Sequence, residues 1–304
     1  MMTMTTCIYN YYKGSFLDYD KEGFDIIVGN PPYQSPQIAK GKRGGGDILW
    51  NKFLKKSIEI IKDKGKLIFV HPPSWRKPES KKSKNKDLFK LMTNNQIHYL
   101  EIHNAIDGKK IFNAATRYDF YFLEKIKPYK KTKIKDENGV ISYLNLKEWS
   151  FLPNSNFDKI KKLLNNNGEK YDNIIFDRSK YGTDYKWVTN TKNDIYKYPL
   201  IHSTPKSGIR YMYSSRNDKG HFGISKVIFG ESGINHVIID MEGKYGMTQH
   251  SMAIKVDNID EAKQIKKVLL SDNFKVILKS TSWGNFRIDW RMFNYFKKDW
   301  WKFV

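Results

Sequence analysis

The stretch Phe-Asp-Ile-Ile-Val-Gly-Asn-Pro-Pro-Tyr at residues 24–33 decides how the first half of the chain is interpreted. Phe24 to Val28 form a compact apolar run, which Gly29 and two prolines stop abruptly. Such a run is typical of a strand that is buried on both faces of a parallel sheet. Pro31 and Pro32 fix their own φ angles and lack N–H donors, so the neighbouring carbonyl groups point rigidly outward. We therefore predict a buried strand that ends in a stiff loop rich in hydrogen-bond acceptors.

Further elements follow this strand at the spacing of a strand–helix–strand unit. Apolar residues at 48–61 recur with a helical period, and Gly65 follows as a stop signal. Residues 66–70 form a second buried strand, and residues 97–102 and 118–123 also have the character of strands. The first half is therefore predicted to be α/β.

The pattern changes beyond a charged, turn-rich segment at residues 125–139, of which residues 125–135 are predicted to be a mobile linker. Later apolar runs at 226–229, 236–239 and 251–256 alternate with glycine turns, and one helix is predicted at about 260–271. These observations predict two domains, residues 1–135 and residues 136–304, of which the second is mixed and mainly β.

The composition narrows the possible functions. The 304 residues contain 54 Lys and Arg against 32 Asp and Glu, a net charge of +22 that favours a polyanionic partner such as double-stranded DNA. The alternative is a lysine-rich proteome encoded by an AT-rich genome. Cys7 is the single cysteine and the seven histidines lack metal-site spacing, so neither a disulfide framework nor a metal site is expected. Neither a membrane span nor a signal peptide is recognisable, which predicts a soluble protein of the cytoplasm or nucleoid.

The Asn-Pro-Pro-Tyr loop has acceptors suited to one difficult reaction. An exocyclic adenine amine is a poor nucleophile, because its lone pair is delocalised into the ring. The side-chain carbonyl of Asn30 and the backbone carbonyl of Pro31 can hold that amine, while Pro32 stiffens the loop. Tyr33 offers a flat face to a base taken out of the duplex. The alternative interpretation is an ordinary strand followed by a proline-rich turn.

The stretch resembles motif IV of gamma-class adenine-N6 DNA methyltransferases, the type found in restriction-modification enzymes. Neighbouring segments resemble other motifs of that family in order and spacing: residues 14–18 motif III, 49–53 motif V, 64–70 motif VI and 111–113 motif VIII. The resemblance implies a partial class I, Rossmann-like methyltransferase sheet followed by a target-recognition domain. It also implies that Phe112 packs on a flipped adenine opposite Tyr33; the alternative for Phe112 is an ordinary core residue.

The resemblance is incomplete where the cofactor, S-adenosylmethionine, is bound. Motifs X, I and II do not precede residue 14, and the glycines of residues 229–233 lie in a β setting without a following helix. Ser15 stands where the family has an acidic residue, so Ser15, Phe16 and Asp18 are the remaining cofactor-binding candidates. Without the missing strands, residues 24–28 would form an exposed apolar sheet edge and residues 7–12 would lack a pairing partner. We therefore expect a second polypeptide to complete the cofactor site, or else a truncated gene product.

Two basic segments are candidates for contacts with DNA phosphates. One follows the motif and contains Lys40, Lys42 and Arg43; the other includes Arg76, Lys77, Lys81 and Lys82. Solvated loops are the alternative for both, and Trp75 is interpreted as a core residue rather than a stacking one. In the second half, residues 243–254, with Tyr245, Thr248 and His250, and residues 282–287 resemble the target-recognition region.

The predicted function is site-specific adenine-N6 methylation of DNA with S-adenosylmethionine as the methyl donor. Two alternatives remain open: a catalytically inactive DNA-binding or specificity subunit, and a protein-glutamine methyltransferase, since release-factor methyltransferases share the Asn-Pro-Pro-Tyr sequence. The sequence contains no convincing nuclease motif.

Overall fold

The computed structural model describes residues 12–35, 47–78, 85–165, 170–284 and 287–304. Its first half is a six-stranded sheet in the order β1-β2-β4-β3-β5-β6. The strand pairs β1–β2 and β3–β5 are parallel, and the other neighbours are antiparallel. The elements of this half are β1 (Phe24–Gly29), α1 (Trp50–Ile60), β2 (Ile61–His71), α2 (Leu88–Thr93), β3 (Gln96–His103), α3 (Ala105–Phe112), β4 (Tyr118–Glu124), β5 (Thr132–Lys135) and β6 (Ile141–Leu144).

The α/β prediction for this half is confirmed, and the four predicted strands that the structure describes are β1 to β4. Helix α1 buries Trp50, Leu54 and Ile58, which are four residues apart and therefore share one helical face. Gly65 does not stop the helix: α1 ends at Ile60, and Gly65 lies inside β2. A Cβ at position 65 would lie 2.7 Å from the backbone oxygen of Lys62, so glycine permits this close approach.

The predicted mobile linker at residues 125–135 is wrong. Residues 132–135 form β5, which pairs in parallel with β3. Thr132 and Ile134 are buried, and this alternation was obscured in the sequence by the lysines around them. Strand β6 then pairs with β5, so the predicted domain boundary at 135/136 falls inside the β5–β6 hairpin.

The described residues of the second half form two four-stranded sheets, ordered β13-β9-β10-β8 and β12-β11-β14-β7, and three α-helices. Only one of these helices was predicted from the sequence. The elements are α4 (Phe157–Leu163), β7 (Ile174–Ile175), β8 (Val188–Thr189), β9 (Tyr198–Ser203), β10 (Arg210–Ser214), β11 (Lys226–Gly230), β12 (Val237–Asp240), β13 (Gly246–Met247), β14 (Ser251–Lys255), α5 (Ile259–Leu269) and α6 (Asp272–Ser280).

One main hydrophobic core extends through both halves. It includes Leu67 and Leu100 of the first sheet together with Phe293 and Trp300 near the C-terminus. The five short 3₁₀ turns are Phe16–Asp18, Pro73–Arg76, Leu146–Glu148, Trp290–Tyr295 and Trp300–Phe303. Among the helices in the described ranges, none has the length and apolar character needed to cross a membrane.

Candidate active site

The Asn30–Tyr33 loop leaves the sheet at the carboxyl end of β1, as the sequence predicts. Asn30 and Pro32 are exposed, Pro31 is buried and Tyr33 is half-buried. The backbone N–H of Leu49 donates a hydrogen bond of 3.1 Å to the carbonyl of Tyr33. Because Leu49 caps α1, the loop is fixed to the N-terminal end of that helix.

Tyr33 lies in an environment that keeps its phenol neutral. Its hydroxyl oxygen is buried and finds no hydrogen-bond partner within the described ranges. Burial, with smaller contributions from Tyr118 and Asp119, raises the pKa of Tyr33 to about 12. The ring is therefore suited to packing rather than to proton transfer at neutral pH.

Phe112 lies beside Tyr33, with the ring centroids 6.5 Å apart and the planes at 71°. Tyr118 supports Phe112 from another side, at a centroid distance of 5.0 Å. Phe112 is the last residue of α3, and a Cβ on Gly108 of that helix would lie 1.9 Å from the carbonyl oxygen of Thr116. Helix α3 is therefore packed closely against the following loop, which holds Phe112 in place.

The two rings presently contact each other edge to face. A base stacked between them needs parallel rings about 7 Å apart, because each stacked contact takes about 3.5 Å. The centroid distance is close to that value, but the planes lie at 71° rather than parallel. Tyr118 was not among the residues selected from the sequence; its place at the start of β4 gave no functional signal.

The residues selected for cofactor binding form the first 3₁₀ turn, Phe16–Asp18, which Ser15 caps by accepting a hydrogen bond from the N–H of Leu17. The Phe16 ring stacks on Phe53 of α1, with centroids 5.4 Å apart. Phe53 donates its backbone N–H to Leu49, the same residue that anchors Tyr33. The structure therefore brings the cofactor candidates and the Tyr33 loop to the same end of α1, while Ser15 and Asp18 remain exposed.

Arg76 was selected as a DNA contact, and the structure contradicts that prediction. The residue is fully buried, and its guanidinium binds both carboxylate oxygens of Asp119 at 2.8 and 3.0 Å. A phosphate cannot reach it. Trp75 is a core residue, as expected, and its indole N–H donates to the same carboxylate at 2.7 Å.

Lys77 is half-buried, and burial lowers the pKa of its ammonium group below the usual range. The other five basic residues selected from the sequence lie outside the described residues: Lys40, Lys42, Arg43, Lys81 and Lys82. Most of the strand predicted at residues 7–12 also lies outside them. The parts of the chain that the structure describes contain no cluster of three His, Cys, Asp or Glu side chains able to hold a metal ion.

The outer side of β1 is open, as the sequence predicts. Within the described ranges this strand pairs with β2 alone. Ile26 is 56% exposed and Val28 is 70% exposed, while Ile27 on the opposite face packs on the core. An apolar strand edge and face left uncovered in this way normally receives another element.

Known proteins with similar sequences come from restriction-modification systems. Residues 8–112 match the family of Eco57I restriction-modification methylases. The type II restriction enzyme and methyltransferase RM.Eco57I of Escherichia coli is 25% identical over 176 residues, covering 50% of this chain and 18% of that protein. The chain spans about a fifth of the length of that curated relative.

Two of the solved structures that this chain resembles are also from restriction-modification systems. The type IIL restriction-modification enzyme MmeI in complex with DNA is 11% identical, with a TM-score of 0.46 over 90% of this chain and 45% of that one. The M protein of the type I restriction enzyme EcoKI is 17% identical, with a TM-score of 0.31 over 40% of this chain and 27% of that one. Methyltransferases of this kind imply S-adenosylmethionine as the methyl donor.

Proposed function

We propose that this chain carries the target-base half of an adenine-N6 DNA methyltransferase site. The observation that carries the proposal is the meeting of Asn30, Tyr33 and Phe112 at the carboxyl end of β1, with the two rings 6.5 Å apart. Ligands of α/β sheets bind at this edge of the sheet. The match of residues 8–112 to restriction-modification methylases supports it.

Each residue of the loop has a distinct task in this proposal. The Asn30 side-chain carbonyl and the Pro31 backbone carbonyl accept hydrogen bonds from the adenine amine and localise its lone pair on nitrogen. Tyr33 and Phe112 hold the flipped base between them. Because the pKa of Tyr33 is about 12, its hydroxyl stays neutral and does not act as a base. S-adenosylmethionine, when bound, supplies a methyl group activated by its sulfonium. The protein's contribution is positioning and electrostatic assistance.

The first 3₁₀ turn fits only one side of S-adenosylmethionine. Phe16 offers an apolar ring and Asp18 an exposed carboxylate, which suit the adenine of the cofactor and its amine. The remaining contacts require another element beside β1. We propose that the open edge of β1 and the exposed Ile26 and Val28 receive the strands that complete the cofactor site. A second polypeptide, or a further part of the same one, supplies them.

The test is adenine methylation in cells. The gene is expressed with its neighbouring reading frames in a host without adenine methyltransferases, and genomic N6-methyladenine is mapped by single-molecule sequencing. Wild-type chain is expected to methylate one short sequence motif. Asn30→Ala is expected to reduce methylation at that motif by about 100-fold or more, because a preorganised polar contact to the reacting group is lost.

Asn273→Ala is the matched control, since Asn273 is an exposed asparagine on α6, outside the loop at the end of β1. It is expected to leave methylation at the wild-type level. Genomic DNA without N6-methyladenine, with the chain soluble and the neighbouring frames expressed, contradicts the proposal. So does methylation of protein glutamine in place of DNA.

A further inference from the structure

Two adjoining cavities lie beside the candidate active site, on the second half of the chain. The first, about 400 Å³, is at the ends of β9 and β11 and is lined in part by Thr204, Lys206 and Arg210. The second, about 330 Å³, is lined in part by Arg117, Lys279 and Arg287. They share the lining residues Ser232 and Gly233, so they lie next to each other, and the two together are called the depression.

The depression has a basic lining. In the described chain, two lysines, three arginines and two histidines line the cavities, while no Asp or Glu side chain does. The histidines are His202 and His250, whose rings lie 5.0 Å apart. Burial, with smaller contributions from His250 and Arg210, lowers the pKa of His202, so this ring is less readily protonated. The lysines and arginines supply the positive charge that suits an anionic ligand.

The buried carboxylate of Glu231 lies behind the lining and holds two of its side chains, those of His250 and Arg287. Glu231 accepts hydrogen bonds from Arg178 and His250, both at 2.9 Å, and Arg287 approaches it to 3.6 Å. The Glu231 side chain is 2% exposed, whereas those of Arg178 and Arg287 are about half exposed. A guanidinium has five N–H donors, so each arginine keeps donors that face outward. Glu231 therefore brings together His250 and Arg287, from two segments that resemble a target-recognition region.

Thr204 provides an independent sign of a ligand. It is 3% exposed and lines the first cavity, yet its hydroxyl has no hydrogen-bond partner within the ranges that the structure describes. A Cβ on Gly230 would lie 2.6 Å from this hydroxyl oxygen, so any larger residue there would crowd the group. An unpaired buried hydroxyl is destabilising unless a ligand satisfies it.

The second cavity adjoins the candidate base site. Arg117, which lines it, directly precedes Tyr118, and the Tyr118 ring packs on Phe112. Glu137, itself nearly buried, pairs with the Arg117 guanidinium. The second cavity and the two rings that would hold the flipped base are therefore linked through the consecutive residues Arg117 and Tyr118.

We propose that this depression binds phosphodiester groups of the DNA strand that carries the target base. Phosphate oxygens accept the charge-assisted hydrogen bonds that Arg117, Lys206, Arg210 and Arg287 can donate, and the Thr204 hydroxyl adds a donor. The inference rests on the proposed function, because it names the surface by which that site holds its DNA.

The first test is the salt dependence of DNA binding. The affinity of the full chain for a fluorescein-labelled duplex of mixed sequence is measured by anisotropy over a range of NaCl concentrations. Replacing Lys206 and Arg210 together by Ala is expected to flatten the plot of log K against log salt by about 1.8, since two phosphate contacts are lost. Lys263→Ala with Lys267→Ala removes the same charge from exposed positions on α5 that line neither cavity, and the wild-type slope is expected to persist.

The second test separates ligand binding from folding. Thr204→Val keeps the side-chain shape and removes the unpaired hydroxyl, so the melting temperature is expected to stay equal or rise. Affinity for the duplex is expected to fall about tenfold, because a hydrogen bond to a charged group is lost. A hydroxyl with no ligand gives the same melting temperature but wild-type affinity, and that result overturns its role.

The outcomes distinguish this site from the proposed function. If wild-type chain binds DNA and methylates adenine while the Lys206 and Arg210 variant keeps the wild-type salt slope, the phosphate site is wrong and the proposed function stands. If the slope is unchanged but the methylated sequence changes, the depression reads bases, which also overturns the phosphate assignment. If wild-type chain does not bind DNA, the proposed function fails and the site with it.

Discussion

Two neighbouring groups of side chains, which include the consecutive β4 residues Tyr118 and Asp119, have opposite characters. Asp119 belongs to a buried junction with Arg76, whereas Tyr118 supports the pair formed by Tyr33 and Phe112. At the junction, Asp119 accepts from Trp75 and Arg76, and Arg76 also donates to the carbonyls of residues 152 and 153 and to the side chain at 154. Both sides of the ion pair are satisfied within the chain.

In the candidate base site, by contrast, polar groups remain available for hydrogen bonding. The Tyr33 hydroxyl is buried without a partner in the described part of the chain, and Asn30 is exposed. At the junction, each hydrogen-bond donor and acceptor has a partner within the chain, and these bonds hold the two halves of the molecule together. At the end of β1, polar groups that lack a partner among the described residues remain available to bind a ligand. Whether a polar group already has a hydrogen-bond partner distinguishes residues that stabilise the fold from residues available for chemistry. It does so more clearly than residue type.

The largest expected effect concerns the junction. Arg76→Leu leaves the Asp119 carboxylate buried without its cation, so the free energy of unfolding is expected to fall by about 3–5 kcal/mol. Urea denaturation followed by circular dichroism measures it. Arg216→Leu is the control: Arg216 pairs with Asp218 through two hydrogen bonds, but both side chains are exposed and no measurable change is expected. Equal losses in the two variants would contradict the importance of burial.

The next effect is a dependence of stability on pH. Burial lowers the pKa of His71 and of His221 from 6.5 to about 4. The unfolded chain therefore takes up these protons first as the pH falls, and stability is lost between pH 6.5 and about 4. Each histidine contributes up to about 3 kcal/mol to this loss. Urea titrations at several pH values measure it, and an unchanged pH slope in His71→Asn would refute the role of His71.

The smallest expected effect concerns the two rings of the candidate base site, Tyr33 and Phe112. Tyr33→Ala and Phe112→Ala are each expected to lower adenine methylation by roughly 10- to 100-fold, because each removes one stacking contact with the base. Tyr33→Phe keeps the ring and removes only the unpaired hydroxyl, so methylation should stay near the wild-type level and the melting temperature should not fall. If Tyr33→Phe is as inactive as Tyr33→Ala, the hydroxyl has a role that stacking does not explain.

Local sequence patterns were sufficient to predict the elements that have a continuous apolar run or a clear helical period. The continuous apolar run of β1 and the helical period of α1 are visible within a few residues, and both elements are confirmed. The predicted burial of β1 on both faces is wrong for the described chain, because Ile26 and Val28 are exposed. Strand β5 was missed because its two buried residues alternate with lysines in a charged segment. Helices α4 and α6 are short, and nothing in their sequence distinguished them from loops in the β setting.

The candidate site residues likewise include some that the sequence identified and one that it misassigned. The sequence selected Asn30–Tyr33 through their chemistry and Phe112 through the resemblance to motif VIII, and the structure brings Tyr33 and Phe112 together. It misassigned Arg76, because the partner that buries it, Asp119, is 43 residues away in the chain. Charge alone does not indicate whether an arginine faces solvent or a carboxylate.

The sequence by itself therefore determined the β1 strand, its stiff acceptor loop and the basic character of the molecule, since each depends on neighbouring residues or on composition. Only the tertiary structure decided which polar groups are satisfied. It paired Arg76 with Asp119, left the hydroxyls of Tyr33 and Thr204 unpaired within the described chain, and gathered Arg178, His250 and Arg287 around Glu231. The physical reason is that burial and hydrogen bonding depend on contacts between residues far apart in the chain, which no local pattern encodes.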